Sequence, residues 1–193
     1  VYKVVVATWI HRFYAPSAAG DAWAQVQTAL LYGLYLFCDF QGYSLMAMGA
    51  SYCLGIRCPR NFRAPFAAVD IIDFWNRWHI TLSTWFRDFV FMRFTRWVMH
   101  RKLLRDRLQV AMCAFMVDML VMGFWHGIAW RYIAYGVYHG VLLAATQAMQ
   151  KRWGFYKRHR RDRWFCACSW AVTQVLVFLG FAIFSGQVGM LLG

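Results

Sequence analysis

Three histidines stand in patterns that could support chemistry. His79 lies in the segment 73–88, DFWNRWHITLSTWFRD, where aromatic and polar residues recur at helical spacing. His126 and His139 each precede the second glycine of a G-x-x-x-G pentad, GFWHG and GVYHG. An imidazole changes charge near neutral pH and can move a proton or hold a polar group. These three side chains are therefore the first candidates for a functional site.

The segment 73–88, wound as one helix, separates into a polar half and an aromatic half. The aromatic half, with Trp75 and Trp78, suits lipid or a membrane-protein core. The polar half must face water, headgroups or an internal cavity. Within it, four residues form a narrow line at i, i+3, i+7 and i+11: Asn76, His79, Ser83 and Arg87.

The composition indicates a membrane protein with a basic cytoplasmic face. The 193 residues are 61% hydrophobic and 15% charged, with a formal net charge of +13, whereas a soluble domain is nearer a quarter charged. Most lysines and arginines fall in 57–63, 93–107 and 151–163, and the positive-inside rule places all three in the cytoplasm. A nucleic-acid binder would not need long apolar runs, so we expect no nucleic-acid partner.

These charges constrain the topology. Residues 108–128 and 129–149 form a predicted hairpin of two spans with its turn outside, and 164–184 form the last span. The three basic stretches share one side only if residues 66–107 do not fully cross. We therefore predict an all-α, polytopic transmembrane helical bundle with an interfacial or re-entrant amphipathic helix, which breaks or leaves the protein interior near Phe91.

Two features of the apolar runs leave alternatives open. Asp39 interrupts the run 28–56, either at a helix break packed inside the protein or as a polar group beside a substrate path. Each glycine pentad has the small-xxx-small spacing that lets membrane helices approach closely. His126 and His139 beside these glycines are either structural, hydrogen-bonded to a neighbouring helix, or functional.

No metal site is predicted, because the histidines lack ligand spacing and the six cysteines include no C-x-x-C pair. We expect the cysteines to be small buried hydrophobes. The sequence also contains no G-x-S-x-G elbow, phosphate loop or dinucleotide fingerprint.

Two spaced motifs resemble the membrane-bound O-acyltransferase family. The family's W-x-x-W-H signature corresponds to WNRWH, Trp75 to His79, and its later histidine at a helix end corresponds to His126. The stretch FCDFQGYSLMAMG, 37–49, is similar to the family's D-F-x-G-Y-S segment. Because family members are about twice as long, we expect residues 1–193 to be a single membrane domain from the C-terminal part of a longer acyltransferase.

The resemblance implies a tunnel through a helical bundle in the cell membrane, with the acyl donor entering from the cytoplasm and an acceptor hydroxyl from outside. His126 matches the essential histidine and is the predicted general base. His79 matches the histidine whose role varies and is the second predicted catalytic residue, which with Asn76 holds or polarises the thioester arm. The expected substrate-binding residues lie around His79: Trp75, Asn76, Trp78, Ser83 and Arg87.

The likeness is strongest to the branch that D-alanylates teichoic acid. There the donor is D-alanine, held as a thioester on the phosphopantetheine arm of a small acidic carrier protein, and no cofactor is bound to the enzyme itself. The alternatives are an alginate-type polysaccharide O-acetyltransferase and a non-enzymatic transporter or scaffold. No single residue distinguishes D-alanine from acetate.

The segment 89–97, FVFMRFTRW, mixes apolar residues with arginines on the predicted cytoplasmic side. Such a mixture suits a protein interface with an apolar centre and a charged rim, and a lipid-anchored helix has the same pattern. The predicted carrier-docking residues are Met92, Arg93, Phe94 and Arg96. The alternative docking site is the basic stretch 151–163.

Overall fold

The computed structural model describes residues 1–13 and 22–187, and every regular element in these ranges is helical. This confirms the all-α prediction. A π-helical turn, Tyr2–Ala7, precedes the first helix. The helices are α1 (Thr8–Phe13), α2 (Ala22–Cys53), α3 (Ile71–Trp75), α4 (Ile80–Phe86), α5 (Met92–His100), α6 (Arg107–His126), α7 (Trp130–Arg152), α8 (Gly154–His159) and α9 (Arg163–Ser185).

Two of these helices, α6 and α9, are long and apolar enough to cross a bilayer. Their bounds agree with the predicted spans 108–128 and 164–184. Helix α7 agrees with the predicted span 129–149 in position and length, although it is not among the helices that meet this apolarity criterion. The turn at 127–129 joins α6 and α7 into the predicted hairpin.

Glycines set the distance between α6 and α7. A Cβ atom added at Gly123 would lie 2.5 Å from the Tyr132 carbonyl oxygen, and one added at Gly136 would lie 2.5 Å from the Met119 carbonyl oxygen. The two backbones therefore touch where each pentad begins, as the small-xxx-small spacing predicts. Gly127 ends α6. Its φ of 147° is a conformation that residues with a side chain rarely adopt.

The prediction of one continuous helix over 73–88 is wrong. Helix α3 ends at Trp75 and α4 begins at Ile80, and His79 between them has the left-handed backbone conformation φ 44°, ψ 51°. The predicted line of four polar residues therefore does not exist as one face of one helix. Beyond Arg87 the chain forms a π-helical turn to Phe91 and continues directly into α5, so the predicted break near Phe91 is a change in helical winding.

The loop before α3 holds the helix break open. The carbonyl oxygen of Asn61 accepts a hydrogen bond from the Ile80 N–H at 2.8 Å, and its side-chain oxygen accepts one from the Thr81 hydroxyl at 2.5 Å. The Asn61 amide nitrogen donates to Ser44 Oγ of α2 at 3.1 Å. Backbone groups freed by the break thus find partners in a segment distant in sequence, which overrides the local helical pattern.

Asp70 anchors the start of α3 to the basic end of the molecule. Its side chain accepts the hydrogen bond from the Asp73 N–H that caps the helix. Its second oxygen accepts hydrogen bonds from Gln150 of α7 at 2.9 Å and from the Tyr156 hydroxyl at 3.2 Å. Burial, and secondarily the Asp70 charge, raises the pKa of Tyr156, which keeps that hydroxyl a donor.

Helix α2 continues without a break through Asp39, contrary to the first interpretation of that residue. Asp39 Oδ1 pairs with Lys3 Nζ at 2.5 Å, and the backbone of Lys3 packs directly against Gly42. Asp39 therefore fastens the N-terminal helical turn to α2, and it does not line the cavity described below.

The expected burial of the cysteines is wrong for most of them. Cys38 is buried, whereas Cys53, Cys113 and Cys168 are exposed and the remaining two are half-buried. A cysteine in an apolar helix thus does not need to face the protein core when the outer surface of that helix is also apolar.

Candidate functional site

A cavity of about 600 Å³ lies between the loop before α3, the broken α3–α4 segment and α6. Its polar side chains come mostly from the loop and the α3–α4 segment, and its apolar side chains come mostly from α6, α7 and the same segment. The polar members are Arg60, Arg63, Asp73, Trp75, Asn76, Ser83, Thr84, Arg87 and Asp118, and the apolar members are Ile72, Ile80, Phe91, Phe115, Met119, Met122 and Leu143.

Four of the five residues expected to bind substrate line this cavity: Trp75, Asn76, Ser83 and Arg87. Trp78 does not line it. It is 5% exposed and packs between Phe74, with ring centroids 5.5 Å apart, and Phe181, at 5.1 Å. The break after α3 directs the indole of Trp78 into the aromatic core.

His79 lies behind the cavity wall at the start of α4. Its ring meets Phe40 of α2 edge to face, with centroids 4.5 Å apart, and its buried Nδ1 has no hydrogen-bond partner within the described ranges. Burial, and secondarily the positive charge of nearby His126, lowers the pKa of His79. His79 is therefore neutral at physiological pH and can exchange hydrogen bonds without carrying charge.

His126 is the last residue of α6, so it sits where that helix turns into the hairpin loop. Aromatic rings surround its half-buried imidazole, with centroids 4.8 Å away for Trp125, 5.0 Å for Phe184 and 6.1 Å for Tyr132. Met122, which lines the cavity, stands one helical turn before it. His126 therefore lies one helical turn beyond a cavity-lining residue of α6, and it does not itself line the cavity.

The contacts of His139 agree with a structural role, the first of the two interpretations given above. It is 1% exposed, and its Nδ1 accepts a hydrogen bond from Trp75 Nε1 of α3 at 3.3 Å. Its Nε2 packs against Gly180 of α9, where a Cβ atom would clash with it. His139 therefore joins α3, α7 and α9 and holds the first tryptophan of the WNRWH segment at the cavity wall.

Arg60, Arg63 and Asp118 line the cavity although none was a candidate site residue. The signal for the two arginines was the basic loop directly before the segment 73–88. The signal for Asp118 is an acidic residue within the predicted span 108–128.

The predicted docking residues lie on α5. Met92, Arg93 and Arg96 are exposed, Phe94 is half-buried, and the Arg93 guanidinium lies 5.5 Å from the Phe89 ring centroid.

Within residues 1–13 and 22–187, no group of three histidine, cysteine or acidic side chains could hold a metal ion.

Comparisons with known proteins show what the chain is similar to. The teichoic acid D-alanyltransferase of Bacillus subtilis (strain 168) is 39% identical over 191 residues, covering 97% of this chain and 48% of that protein. The teichoic acid D-alanyltransferase of Streptococcus thermophilus is 38% identical over 203 residues, covering 96% and 49%. A probable alginate O-acetylase of Pseudomonas putida is 36% identical over 173 residues, covering 87% and 31%.

The chain spans about half the length of the D-alanyltransferases it matches. Residues 20–187 match the model of the membrane-bound O-acyltransferase family, and the chain therefore belongs to that family.

Proposed function

We propose that this chain forms the catalytic part of a membrane acyltransferase that moves D-alanine from a carrier-protein thioester to a hydroxyl of teichoic acid. The observation that carries the proposal is the polar cavity bounded by Trp75 and Asn76 of the WNRWH segment, with His126 one helical turn beyond Met122 of its wall. The D-alanyltransferase names of the relatives at 39% and 38% identity support the acyl group and the acceptor.

The reaction moves one proton from the acceptor hydroxyl to the thiol by way of His126, in two transfers, and it involves no redox step. His126 takes the proton of the acceptor hydroxyl as that oxygen attacks the thioester carbonyl carbon. The tetrahedral intermediate expels the pantetheine sulfur as a thiolate, which receives the proton from the imidazolium, leaving an ester and a free thiol. A positioned general base typically contributes ~10²–10⁴-fold to such a rate. The aromatic surroundings of His126 favour the neutral imidazole that this role needs.

The cavity suits the donor arm. Phosphopantetheine carries a phosphodiester, and Arg60 and Arg63 provide positive charge in the cavity wall. Further along the wall, Asn76 and Ser83 present an amide and a hydroxyl that can hydrogen-bond the amide groups of the arm. Neutral His79 lies behind this wall and would support its shape from the protein side.

The exposed surface of α5 is the proposed carrier-docking site. Met92, Arg93 and Arg96 are available there to a small acidic protein, and electrostatic complementarity of this kind speeds association. The π-helical turn connects α5 directly to Arg87 at the cavity wall. A carrier bound on α5 would therefore hold its arm near the cavity.

Ester formation by the complete protein that contains this chain tests the proposal. The protein is reconstituted in liposomes with D-alanyl-loaded carrier outside and a polyglycerol-phosphate acceptor within, and the acceptor is assayed for D-alanine ester. We expect ester and a stoichiometric amount of free carrier thiol. Appearance of acceptor or donor across the membrane without ester would replace the enzyme with the transporter alternative. Ester formed only from an acetyl-loaded donor would favour the O-acetylase alternative that the Pseudomonas putida relative represents.

A further inference from the structure

Asp118 is an acidic residue that has no role in the reaction proposed above. It lies near the middle of α6 and is 5% exposed, yet it belongs to the cavity wall. The backbone N–H of Phe91 lies close to its carboxyl group. Its Oδ1 atom is fully buried and has no partner within the described ranges.

A carboxyl oxygen in this position lacks the partner that buried polar groups normally have. The cavity residues nearest to it in sequence, Phe115, Met119 and Met122, are apolar. The other acid of the cavity, Asp73, is already paired with Arg77 at 2.8 Å. Asp118 is therefore the acidic residue of the cavity wall with an unpaired oxygen. A ligand that pairs with this oxygen must bring an N–H donor or a positive charge.

The proposed donor brings such a group. A D-alanyl thioester differs from a simple acyl thioester by an α-ammonium two bonds from the reacting carbonyl carbon. Resting on the proposed function, we propose that Asp118 binds this α-ammonium and so makes the site selective for aminoacyl over plain acyl donors. The contact is a charge-assisted hydrogen bond, and no covalent bond forms or breaks at Asp118.

The spacing along α6 agrees with this role. Asp118 and His126 lie eight residues apart on one helix, which corresponds to about 12 Å at about 1.5 Å per residue. The length from carboxylate to imidazole, when extended, is roughly 11 Å. It includes the hydrogen bond from the ammonium to the carboxylate, the short link to the carbonyl carbon, the attacking hydroxyl and its hydrogen bond to imidazole. The rise between the two residues is thus similar to the extended reach from a carboxylate through one donor and acceptor to an imidazole.

The test compares two donors on the complete protein. Carrier loaded with D-alanine is compared with carrier loaded with propionate, which has the same carbon skeleton without the amine. Asp118→Asn keeps the size of the side chain and one oxygen acceptor, but it removes the charge. We expect it to lower kcat/KM for the D-alanyl donor at least tenfold and to leave the propionyl donor within twofold. Asp118→Glu, which retains the carboxylate, should keep much of the D-alanyl preference.

The ratio of kcat/KM for the two donors is taken on each preparation. This ratio does not depend on the amount of folded protein. Asp73→Asn is the matched control, because Asp73 lines the same cavity but already has an ion-pair partner, and its donor ratio should equal wild type. If Asp118→Asn does not accumulate, Asp118→Ser carries the same comparison. An unchanged ratio, including equal losses with both donors, overturns the role of Asp118. A wild-type protein that transfers neither group overturns the proposed function and this inference with it.

Discussion

At the scale of single residues, Trp75 and His139 show how the cavity wall is fixed. The indole N–H of Trp75 donates to His139 Nδ1 at 3.3 Å, and both side chains are more than nine-tenths buried. Their rings also meet edge to face, with centroids 5.3 Å apart. Trp75 thus presents one side to the cavity while its polar atom is used inside the protein.

A double-mutant cycle on this pair should give a favourable coupling. Trp75→Phe and His139→Ala each remove one partner, and the net hydrogen bond is worth about 0.5–1.5 kcal/mol. We expect that coupling in the free energy of unfolding of the complete protein in detergent, measured by chemical denaturation. Trp78→Phe paired with His139→Ala is the control and should be additive, because Trp78 makes no hydrogen bond to His139. Additive effects of Trp75→Phe and His139→Ala would show that the contact does not stabilise the wall.

The sequence pattern predicted four residues of the cavity wall, but it predicted the wrong backbone arrangement for them. Trp75, Asn76, Ser83 and Arg87 do line one cavity, but through two short helices and not along one helix. The difference arises from Asn61, whose hydrogen bonds to Ile80 and Thr81 stabilise the break. Such a long-range contact has no signature in the local helical period, so neither the break nor the inward turn of Trp78 could be read from it.

At the scale of helices, the α6–α7 hairpin positions both Asp118 and His126. Its close contact depends on backbone atoms, since the Cα atoms of Gly123 and Gly136 approach each other directly. The small-xxx-small spacing was sufficient to predict this contact. Helix α2 was predicted less well, because the ion pair between Asp39 and Lys3 lets an acid sit in an unbroken helix.

Gly136→Ala should separate these two helices. The new Cβ atom would lie 2.5 Å from the Met119 carbonyl oxygen, and a backbone atom cannot rotate away. We expect a loss of about 1–3 kcal/mol in the free energy of unfolding, typical of overpacking, and a lower rate of ester formation, measured on the complete protein.

Gly49→Ala is the matched control, because no atom lies within 4 Å of its added Cβ in α2. Alanine is the better helix former by about 1 kcal/mol, so this variant should be at least as stable as wild type. Equal stability of the two alanine variants would contradict a tight α6–α7 contact.

At the scale of the whole molecule, the membrane-spanning helices position the parts of the proposed site. As a membrane-bound O-acyltransferase the chain lies in the cell membrane, with α6 running from the basic end at Arg107 to His126. Asp118 at the cavity wall and His126, the proposed base, thus lie at successive positions along one helix. Hydropathy was enough to predict the bounds of α6 and α9, because it depends on composition over whole segments. The cytoplasmic placement of the basic segments stays a prediction.

The most direct measurement of the central claim compares His126→Ala with His139→Ala in a single-turnover assay. The complete protein is mixed with D-alanyl-loaded carrier and acceptor, at equal folded concentrations, and ester is quantified. We expect His126→Ala to lose ~10²–10⁴-fold in rate, as for removal of a general base. His139→Ala should retain measurable transfer and lose chiefly stability, because its imidazole is committed to Trp75. An inactive His139→Ala together with an active His126→Ala would contradict the assignment of the base.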